Sequence, residues 1–295
     1  MFKRVCVIGV GLIGGSIAKA ARVNELVGTF VGFGRIDDVE NLQLAKDLNV
    51  IDEFYTDIET AVKAADCVII ATPVVATESI LRLLKPFWSD NTIYFDVGST
   101  KGNVIDAAKA VFGFVPNNFI PAHPIAGAEN SGVGAALVDL FVNKRLIITP
   151  VENTNAAALH KTKLFWEKIG AIVSIMDVRQ HDSVLAATSH LPHLLAFALV
   201  DMLGQRDEQE DIFKYAAGGF RDFTRIASSD PTMWQAICAA NKSELLPLLD
   251  QFKDELTKIE QLLETDNYTQ LFELFSYANT ARQRFLHQTE KEKCV

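Results

Sequence analysis

The sequence predicts an α/β protein in which a doubly wound parallel sheet is followed by an all-helical C-terminal domain. Up to about Asp177, short apolar runs alternate with amphipathic ones, which is the pattern of βαβ units. A glycine-rich turn follows the first apolar run, and the strand pattern disappears after Asp177. At 295 residues the chain is long enough for two domains. We expect these domains to cover residues 1–177 and 178–295.

The glycine-rich turn is Gly9-Val10-Gly11-Leu12-Ile13-Gly14, between a strand pattern and a helical pattern. In that context Gly9 permits the tight turn, Gly11 lets the backbone approach a pyrophosphate, and Gly14 lets the helix pack closely on the sheet. The N-terminus of the helix then offers unpaired N–H groups to phosphates. The motif alone is weak evidence, but its position predicts a Rossmann-type dinucleotide-binding domain.

Six strands are clearest in the first domain: residues 4–8, 29–33, 67–72, 92–97, 145–149 and 172–176. In a doubly wound sheet the ligand binds at the carboxyl ends of the strands. Two loops there should face it, Ala71-Thr72-Pro73 and Asp96-Val97-Gly98-Ser99-Thr100-Lys101-Gly102. Thr72, Pro73 and Ser99 are therefore candidate nucleotide-binding residues, together with the residues of the glycine-rich turn.

Gly34 stands at the end of the second strand, where NAD-binding proteins of this fold carry an acid about 20 residues past the glycines. Such an acid accepts hydrogen bonds from the ribose 2′-hydroxyl and would repel a 2′-phosphate. Gly34 removes that repulsion, and Arg35 supplies a planar cation suited to phosphate. We therefore predict a preference for NADP, with NAD also possible. In the alternative, Asp37 or Asp38 folds back into the missing role and pairs with Arg35.

The composition, with 49% apolar and 22% charged residues, is that of an ordinary soluble globular protein. A net charge of −9 argues against a nucleic-acid partner, but not against a small anionic substrate in a local basic pocket. No apolar run reaches the ~18 residues that a membrane span needs, and the start of the chain leads directly into the first strand. These features predict a cytoplasmic protein without a membrane partner. The four cysteines are scattered, which indicates neither a disulfide framework nor a metal site.

The second domain carries apolar stripes at helical spacing. One stripe consists of Leu245, Leu248, Leu249, Phe252, Leu256, Ile259 and Leu263, and a later one of Leu271, Leu274, Phe275, Ala278, Ala281 and Phe285. Asp230-Pro231 is a helix start, with an N-cap acid before a proline at the first helical position. The stripes exceed what one small helical domain needs, so we expect a homodimer. The alternative is that they form only intrachain core.

His123 is the histidine that is best placed for chemistry. It is followed by Pro124 and is expected in a loop at the carboxyl edge of the sheet, on the side where a nicotinamide would lie. A neutral imidazole there can take a proton from a hydroxyl as hydride leaves the same carbon. Position alone leaves a second interpretation equally open, in which His123 only braces the loop.

Arg225 is the candidate for binding an anionic group. It follows a glycine-opened loop, where its guanidinium can bind a carboxylate through two hydrogen bonds. The alternative is an ordinary ion pair with Asp222 or Asp230. Ser99 and Lys101 have two interpretations as well, since they can bind substrate or cap the helix that follows them.

Two histidine-containing segments are candidates for a metal site. His181-Asp182 and His190-Leu191-Pro192-His193 lie on a predicted helix, where residues three apart share a face. No carboxylate stands at the HExxH spacing, however, and Pro192 should distort the helix. We therefore expect no metal.

Several segments, in their order, resemble the prephenate and arogenate dehydrogenase family, also called cyclohexadienyl dehydrogenases. The resemblance extends over essentially the whole chain, in residues 9–16, 96–102, 123–132, 189–193, 219–227 and 230–234. The first segment is shared with many oxidoreductases. Three later segments, in this order, are specific to the family: residues 123–132, residues 189–193, and residues 219–227 with 230–234.

The resemblance implies an oxidative decarboxylation of prephenate, arogenate or both, with hydride transfer to a nicotinamide cofactor. His123 would accept the hydroxyl proton, and Ser99 would hydrogen-bond both the hydroxyl and His123. Arg225 and His193 would hold the two carboxylates of the substrate. Trp234, from this subunit or its neighbour, would lie near the mouth of the site.

Substrate choice depends on one difference, because arogenate carries an ammonium where prephenate carries a keto group. An acid beside that group would favour arogenate, and Glu129 is the nearest candidate in sequence to His123. The alternative for Glu129 is an acid that stabilises a helix start. At this length we expect neither a fused regulatory domain nor a fused chorismate mutase, so that any inhibition by tyrosine would act at the active site.

Two alternative functions stay open. A β-hydroxyacid or imine-type reductase shares the domain plan, but would normally need a catalytic lysine in the helical domain. A redox sensor that binds a dinucleotide without catalysis would keep the glycines, but would not need both His123 and Arg225.

Overall fold

The structure is a computed structural model that describes residues 1–128 and 130–293, except for the side chains of residues 207–210 and 289–293. It has two compact units, Met1–Leu245 and Leu246–Val295. The strands are β1 (Phe2–Ile8), β2 (Val27–Phe33), β3 (Glu53–Tyr55), β4 (Cys67–Ile70), β5 (Ile93–Asp96), β6 (Phe119–Ile120), β7 (Ala122–Pro124), β8 (Arg145–Ile148) and β9 (Ile172–Ile175). The domain boundary expected after residue 177 lies inside the first unit and stays a prediction.

The helices alternate with the strands in the first half of the chain and follow one another in the second half. They are α1 (Leu12–Val23), α2 (Val39–Asp47), α3 (Ile58–Val62), α4 (Thr77–Leu84), α5 (Gly102–Phe112), α6 (Ala156–Lys168), α7 (Val178–Leu185), α8 (Leu191–Glu210), α9 (Gly218–Thr224), α10 (Pro231–Ala240), α11 (Lys242–Glu264) and α12 (Tyr268–Lys293). The described elements after residue 177 are helical, as predicted.

Strands β1 to β6 form one parallel sheet in the order β3-β2-β1-β4-β5-β6. The central strands are nearly continuous runs of buried apolar residues, because both faces of the sheet are covered. Phe30 and Phe95 pack into one buried cluster, whereas Val31 and Tyr94, the adjacent residues on the same strands, pack into a second. The strand order reverses between β1 and β4, where ligands of this fold bind. The doubly wound parallel sheet predicted from the sequence is confirmed.

The last two predicted strands do not belong to this sheet. They are β8 and β9, which form a separate three-stranded sheet with β7 in the order β7-β8-β9. Strand β7 is antiparallel to β8, with His123 opposite Ile147, whereas β8 and β9 are parallel. The expectation of a loop around His123 was therefore wrong. His123 lies in a short strand because its segment pairs with one much later in the chain, which no local pattern reports.

Two helices, α10 and α8, begin in the way that residues near their N-termini predict. Asp230 caps α10, since its Oδ1 accepts a hydrogen bond from Met233 N at 2.8 Å and a proline takes the first helical position. Between α7 and α8 lies one π-helical turn, Ala186–His190. Pro192, the second residue of α8, has no N–H and cannot continue a regular helix, so the wider turn before it accommodates its ring. The distortion expected at Pro192 is this π turn.

By length and composition, the stretch Val178–Arg206 could cross a membrane, the one such stretch in the described part of the chain. The sequence predicted no such stretch, because polar residues interrupt the apolar ones in this part of the chain. Core helices of soluble proteins meet the same criterion. Here the stretch carries three buried polar side chains, His181, Asp182 and His190, which hydrogen-bond to residues outside it. These contacts favour a helix of a globular protein.

The two C-terminal helices leave much of their apolar surface uncovered. On α11 and α12 the side chains of Leu256, Leu263, Phe275 and Phe285 are about half exposed in the single chain. Exposed apolar side chains that recur along a helix are typical of a contact surface for another chain.

Candidate active site

A cavity of about 540 Å³ lies at the carboxyl ends of β1, β2 and β4. Its lining contains most of the residues predicted to bind a nucleotide, namely Gly9, Gly11, Gly34, Arg35, Thr72 and Pro73. The remaining members of that set occupy neighbouring places. Leu12, Ile13 and Ser99 line a second cavity, and Gly14 is buried in the first turn of α1.

The glycine-rich turn has the shape that a bound pyrophosphate requires. Gly9 has φ +91°, and a Cβ there would lie 2.7 Å from Ala71 O. A Cβ on Gly14 would lie 2.3 Å from Gly9 O, so any side chain would separate α1 from the sheet. At Gly11 an added Cβ meets open space, which is the space a pyrophosphate needs to approach the backbone. No acid stands in the first turn of α1, so its N-terminus is suited to an anion.

Arg35 and Asp38 interact beside the nucleotide cavity. Asp38 Oδ2 accepts hydrogen bonds from Arg35 N at 2.8 Å and from Arg35 Nε at 3.3 Å. Partial burial opposes ionisation of Asp38, but the hydrogen bonds from Arg35 lower the pKa of its carboxyl. A Cβ on Gly34 would lie 3.3 Å from Asp38 Oδ2. The carboxylate of Asp38 therefore lies close to where an acid at position 34 would extend.

A second cavity, of about 470 Å³, contains the residues predicted to carry the chemistry. Its lining includes Ser99, His123, His193, Arg225 and Trp234. Leu12 and Ile13 of the glycine-rich turn also line it, so one turn contributes to both cavities. Glu129, proposed for substrate choice, lies outside the described residues.

His123 lies in the wall of this second cavity with 8% of its surface exposed. Its Nδ1 is 2.9 Å from Nε2 of His181. Burial, and then the neighbouring His181 and Lys101, lower the pKa of His123 well below its usual value. The imidazole is therefore neutral at neutral pH, which is the form that a proton acceptor needs.

His181 and Asp182 continue the contact away from the cavity. His181 Nδ1 lies 2.7 Å from Asp182 Oδ1. Asp182 also accepts hydrogen bonds from the backbone N–H groups of Lys101 at 2.8 Å and Gly102 at 2.7 Å. The N-terminus of α5 is thus capped by a side chain from α7, and not by Ser99 or Lys101. The sequence singled out His181 and Asp182 only as metal ligands, because nothing in their spacing reports a partner on another element.

Lys101 and Asp96 form a buried ion pair behind His123. Lys101 Nζ also donates to Ala122 O at 2.8 Å, and Ala122 N donates to Asp96 Oδ1 at 3.2 Å. The pair therefore holds the start of β7 against the end of β5. Because Lys101 has no exposed surface, its role in this structure is to support the strand that carries His123, and the expectation of a substrate contact or a side-chain helix cap is not met.

His193 and Trp234 form one part of the cavity wall. The imidazole stacks on the indole with 3.7 Å between ring centroids and an interplanar angle of 19°. His193 Nδ1 lies 2.9 Å from Ser189 O, so this nitrogen carries the proton and donates it. Trp234 is 8% exposed and lines the cavity of its own chain.

Arg225 lies at the end of a helix. The sequence suggested instead that Arg225 follows an open loop. The glycines at its N-terminal side begin α9, and Arg225 starts the 3₁₀ turn that follows α9. Glycine has low helix propensity, but two glycines at the first positions of a helix carry little of that cost. Arg225 nevertheless lines the cavity.

His190 is a cavity residue whose role the sequence did not indicate. Its Nδ1 accepts a hydrogen bond from Asn241 Nδ2 at 3.0 Å, and burial lowers its pKa to about 4. In the described part of the chain, no three His, Cys, Asp or Glu side chains come together as a metal site requires.

Comparisons with known proteins match both halves of the chain. Residues 17–175 match the family model of the prephenate dehydrogenase nucleotide-binding domain, and residues 177–277 match that of the prephenate dehydrogenase dimerization domain. The chain belongs to the prephenate dehydrogenase family. A cyclohexadienyl dehydrogenase from Zymomonas mobilis is 36% identical over 285 residues, which is 96% of this chain and 96% of that protein.

Solved structures of the family share this fold. A prephenate dehydrogenase from A. aeolicus, in complex with hydroxyphenyl propionate and NAD+, has a TM-score of 0.88 and 35% sequence identity, covering 97% of this chain and 99% of that one. An arogenate dehydrogenase from Synechocystis has a TM-score of 0.79 and 26% identity, covering 96% of this chain and 99% of that one. The Rossmann-type domain followed by a helical domain, expected from the sequence, is therefore the fold of this family.

Proposed function

We propose that this prephenate dehydrogenase family member catalyses the oxidative decarboxylation of prephenate, arogenate or both in tyrosine biosynthesis, with a nicotinamide dinucleotide as hydride acceptor. The observation that carries the proposal is the second cavity. A buried neutral imidazole, His123, and a guanidinium, Arg225, line it together with residues of the glycine-rich turn. The candidate proton acceptor, the candidate anion-binding residue and part of the predicted nucleotide-binding turn thus line one cavity.

The residues present fit a nicotinamide dinucleotide, because the turn leaves open space at Gly11 and excludes any side chain at Gly9 and Gly14. When bound, the oxidised nicotinamide accepts a hydride. The chain would then supply the remaining steps. His123 takes the proton of the substrate hydroxyl through Nε2, and Ser99 hydrogen-bonds the same hydroxyl.

Loss of hydride and of the hydroxyl proton converts the ring C–O bond to a carbonyl. The ring carboxylate then leaves as carbon dioxide, and the electron pair of the broken C–C bond makes the ring aromatic. The oxygen takes back one proton to give a phenol. His123 holds such a proton at Nε2, so one side chain can serve both proton transfers.

Arg225 and His193 are proposed to bind the two carboxylates of the substrate. The two side chains differ in the charge state that this binding requires. Arg225 is always charged. His193 uses its Nδ1–H for Ser189 O, so only Nε2 is left for the substrate, and burial lowers the pKa of this imidazole. It can donate to a carboxylate only when protonated. We expect KM to rise with pH as His193 loses its proton, and a His193→Gln variant to lack that dependence; an unchanged profile would remove His193 from carboxylate binding.

Nucleotide choice is proposed to depend on the Arg35–Asp38 pair. The preference for NADP predicted from Gly34 requires Arg35 to leave Asp38 and bind a 2′-phosphate. The hydrogen bonds of Asp38 to Arg35 instead support the alternative, in which Asp38 accepts from the ribose 2′-hydroxyl and NAD is preferred.

Values of kcat/KM for NAD and NADP in matched variants decide between these two preferences. If Asp38 selects NAD, Asp38→Asn should shift the ratio of the two values toward NADP by roughly tenfold or more, as expected for a charge-assisted contact worth about 1.5–3 kcal/mol. If Arg35 selects NADP, Arg35→Ala should lower kcat/KM for NADP alone. Gly34→Asp should favour NAD whichever of the two residues makes the selection. This variant is a control, because it places an acid where NAD-binding proteins of this fold carry one.

The function itself is tested by incubating the protein with prephenate or arogenate and either nucleotide, and following nicotinamide absorbance. No reduction with any of the four combinations would overturn the proposal. Comparison of kcat/KM for the two substrates in the wild type and in Glu129→Gln tests substrate choice. A ratio that stays the same in Glu129→Gln would exclude Glu129 as the selecting acid.

We also propose a cytoplasmic homodimer assembled through the helical half. The match of residues 177–277 to a dimerization domain and the exposed apolar side chains of α11 and α12 support this assembly. Light scattering of the purified chain should give twice the monomer mass of 32.5 kDa, and a monomer at micromolar concentration would contradict it. Cell fractionation tests the location.

A further inference from the structure

We propose that His181, oriented by Asp182, is a positioning residue that holds His123 in the tautomer with a bare Nε2. This inference rests on the proposed function, because it concerns the atom with which His123 would accept the hydroxyl proton. Neither residue lies in the lining of the substrate cavity. Both would therefore act on the reaction only through His123.

Asp182 lies at the end of this chain of contacts. Its carboxylate accepts from the backbone N–H groups of Lys101 and Gly102, which can only donate. Burial opposes the charge, but the hydrogen bonds from His181 and from these two N–H groups lower the pKa of Asp182 below its usual value. The carboxylate is therefore ionised and has no proton to donate. Its contact of 2.7 Å with His181 Nδ1 requires the proton to be on His181.

His181 connects Asp182 to His123. Burial lowers the pKa of His181, so this imidazole is neutral and carries only its Nδ1 proton. Its Nε2 then has a lone pair and accepts at 2.9 Å from Nδ1 of His123. His123 is also neutral and has one proton, which this contact places on Nδ1. Nε2 of His123 is left bare, as a general base requires.

The opposite tautomers of His181 and His123 would be incompatible with these contacts and with a bare Nε2 on His123. If His181 carried its proton on Nε2, two lone pairs would meet at Asp182, and His123 Nδ1 would have to accept. The proton of His123 would then lie on Nε2, where it blocks proton transfer from the substrate. The charged and titratable groups around this chain of contacts are Lys101, Asp96 and His190. In the described part of the chain, none of these three side chains hydrogen-bonds to a ring nitrogen of His123 or His181.

The arrangement also affects the protonated state. When His123 Nε2 takes a proton, the ring becomes an imidazolium whose Nδ1–H still donates to His181. The negative charge of Asp182 lies one imidazole further away and favours that charged form, against the opposing charge of Lys101. The positioning chain thus acts on both the tautomer of His123 and its basicity.

The tautomers can be measured without any activity. Histidine in the full-length protein is labelled with ¹⁵N, and two-bond ¹H–¹⁵N correlation spectra at neutral pH report which ring nitrogen carries the proton. Resonances are assigned with single-histidine variants. We expect a protonated Nδ1 and a bare Nε2 for both His123 and His181. A protonated Nε2 on His123 would overturn the inference, even if the protein proves to be an active dehydrogenase.

A set of variants adds the kinetic readout. In His181→Gln the amide oxygen can stand near the position of Nε2 and accept from His123, so kcat should stay within about tenfold of wild type. His181→Asn is too short to reach His123 and should lower kcat by roughly 10²-fold or more, in the range for general-base loss. KM should change little in both, because His181 does not line the cavity. His160→Gln, at an exposed histidine, is the control.

The outcomes separate the two proposals. If no substrate is oxidised, the proposed function fails while the spectra still decide the tautomers. If the protein is active but His181→Asn keeps the kcat of wild type, the positioning role fails and the function stands. If His181→Asn does not fold, the wild-type spectra and His181→Gln decide the question.

Discussion

At the scale of single residues, burial decides what His123 can do. The same side chain on the surface would be partly protonated near neutral pH, whereas here burial lowers its pKa well below the usual value and keeps it neutral. Replacing His123 with Asn should lower kcat by roughly 10²- to 10⁴-fold, the range for loss of a general base. Wild-type activity should fall only when the pH drops below the usual histidine range, through the lowered pKa. A near-normal kcat in His123→Asn, from steady-state assays, would exclude the assignment.

Arg225 supports a second prediction at this scale. If its guanidinium binds a substrate carboxylate, Arg225→Gln should cost on the order of 2–4 kcal/mol of substrate binding, seen chiefly in KM. Nucleotide affinity should hardly change, because Arg225 lines the second cavity and not the first. Arg35→Ala is the matched control, since Arg35 lines the first cavity and its loss should leave substrate KM unchanged. Equal losses for both ligands in Arg225→Gln would indicate a structural arginine.

At the scale of elements, helix ends place the residues of the site. Helix α10 carries Trp234, and its first turn is held by the hydrogen bond from Met233 N to Asp230 Oδ1, 2.8 Å long. Asp230→Ala should lower the free energy of unfolding by about 1 kcal/mol, the typical cost of losing an N-cap. Asp230→Asn keeps an acceptor at the cap and should stay within a few tenths of a kcal/mol of wild type. Urea unfolding measures both, and equal stability of the two variants would show that the cap contributes nothing.

At the scale of the whole molecule, buried neutral histidines make stability depend on pH. Burial lowers the pKa of His123, His181, His190 and His193 in the folded chain, and an unfolded chain takes up protons on them near pH 6.5. Below that pH the unfolded state binds more protons than the folded state. The contribution of these histidines to the free energy of unfolding is therefore fully present above pH 6.5 and is lost as the pH falls. For His190, a shift from 6.5 to about 4 corresponds to roughly 3 kcal/mol.

Urea unfolding at pH values from about 7.5 down to 5 should therefore show a steady loss of stability. His190→Gln, whose amide oxygen can still accept from Asn241, should reduce the slope. His160→Gln, at an exposed position, should leave the slope as it is. Stability that rose on acidification would contradict this account of the buried histidines.

The sequence by itself determined those features that depend on neighbours in the chain. The glycine-rich turn, the alternation of strands and helices, the start of α10 at Asp230 and the distortion at Pro192 are all local signals, since a turn, a cap or a missing N–H acts within a few residues. The family segments, read in order, then indicated the reaction. His123 was singled out in this way without any knowledge of its partners.

The tertiary structure alone decided what surrounds those residues. His123 and His181 are 58 positions apart, and Lys101 N and Asp182 are 81 positions apart, yet each pair is in hydrogen-bonding contact. The separate sheet that holds His123 opposite Ile147 likewise depends on pairing between distant segments. Such contacts leave no periodicity in a single sequence, because periodicity reports which face of an element is buried and not what that face meets. The protonation state and tautomer of the proposed base depend on those contacts, and so they became visible only in the folded chain.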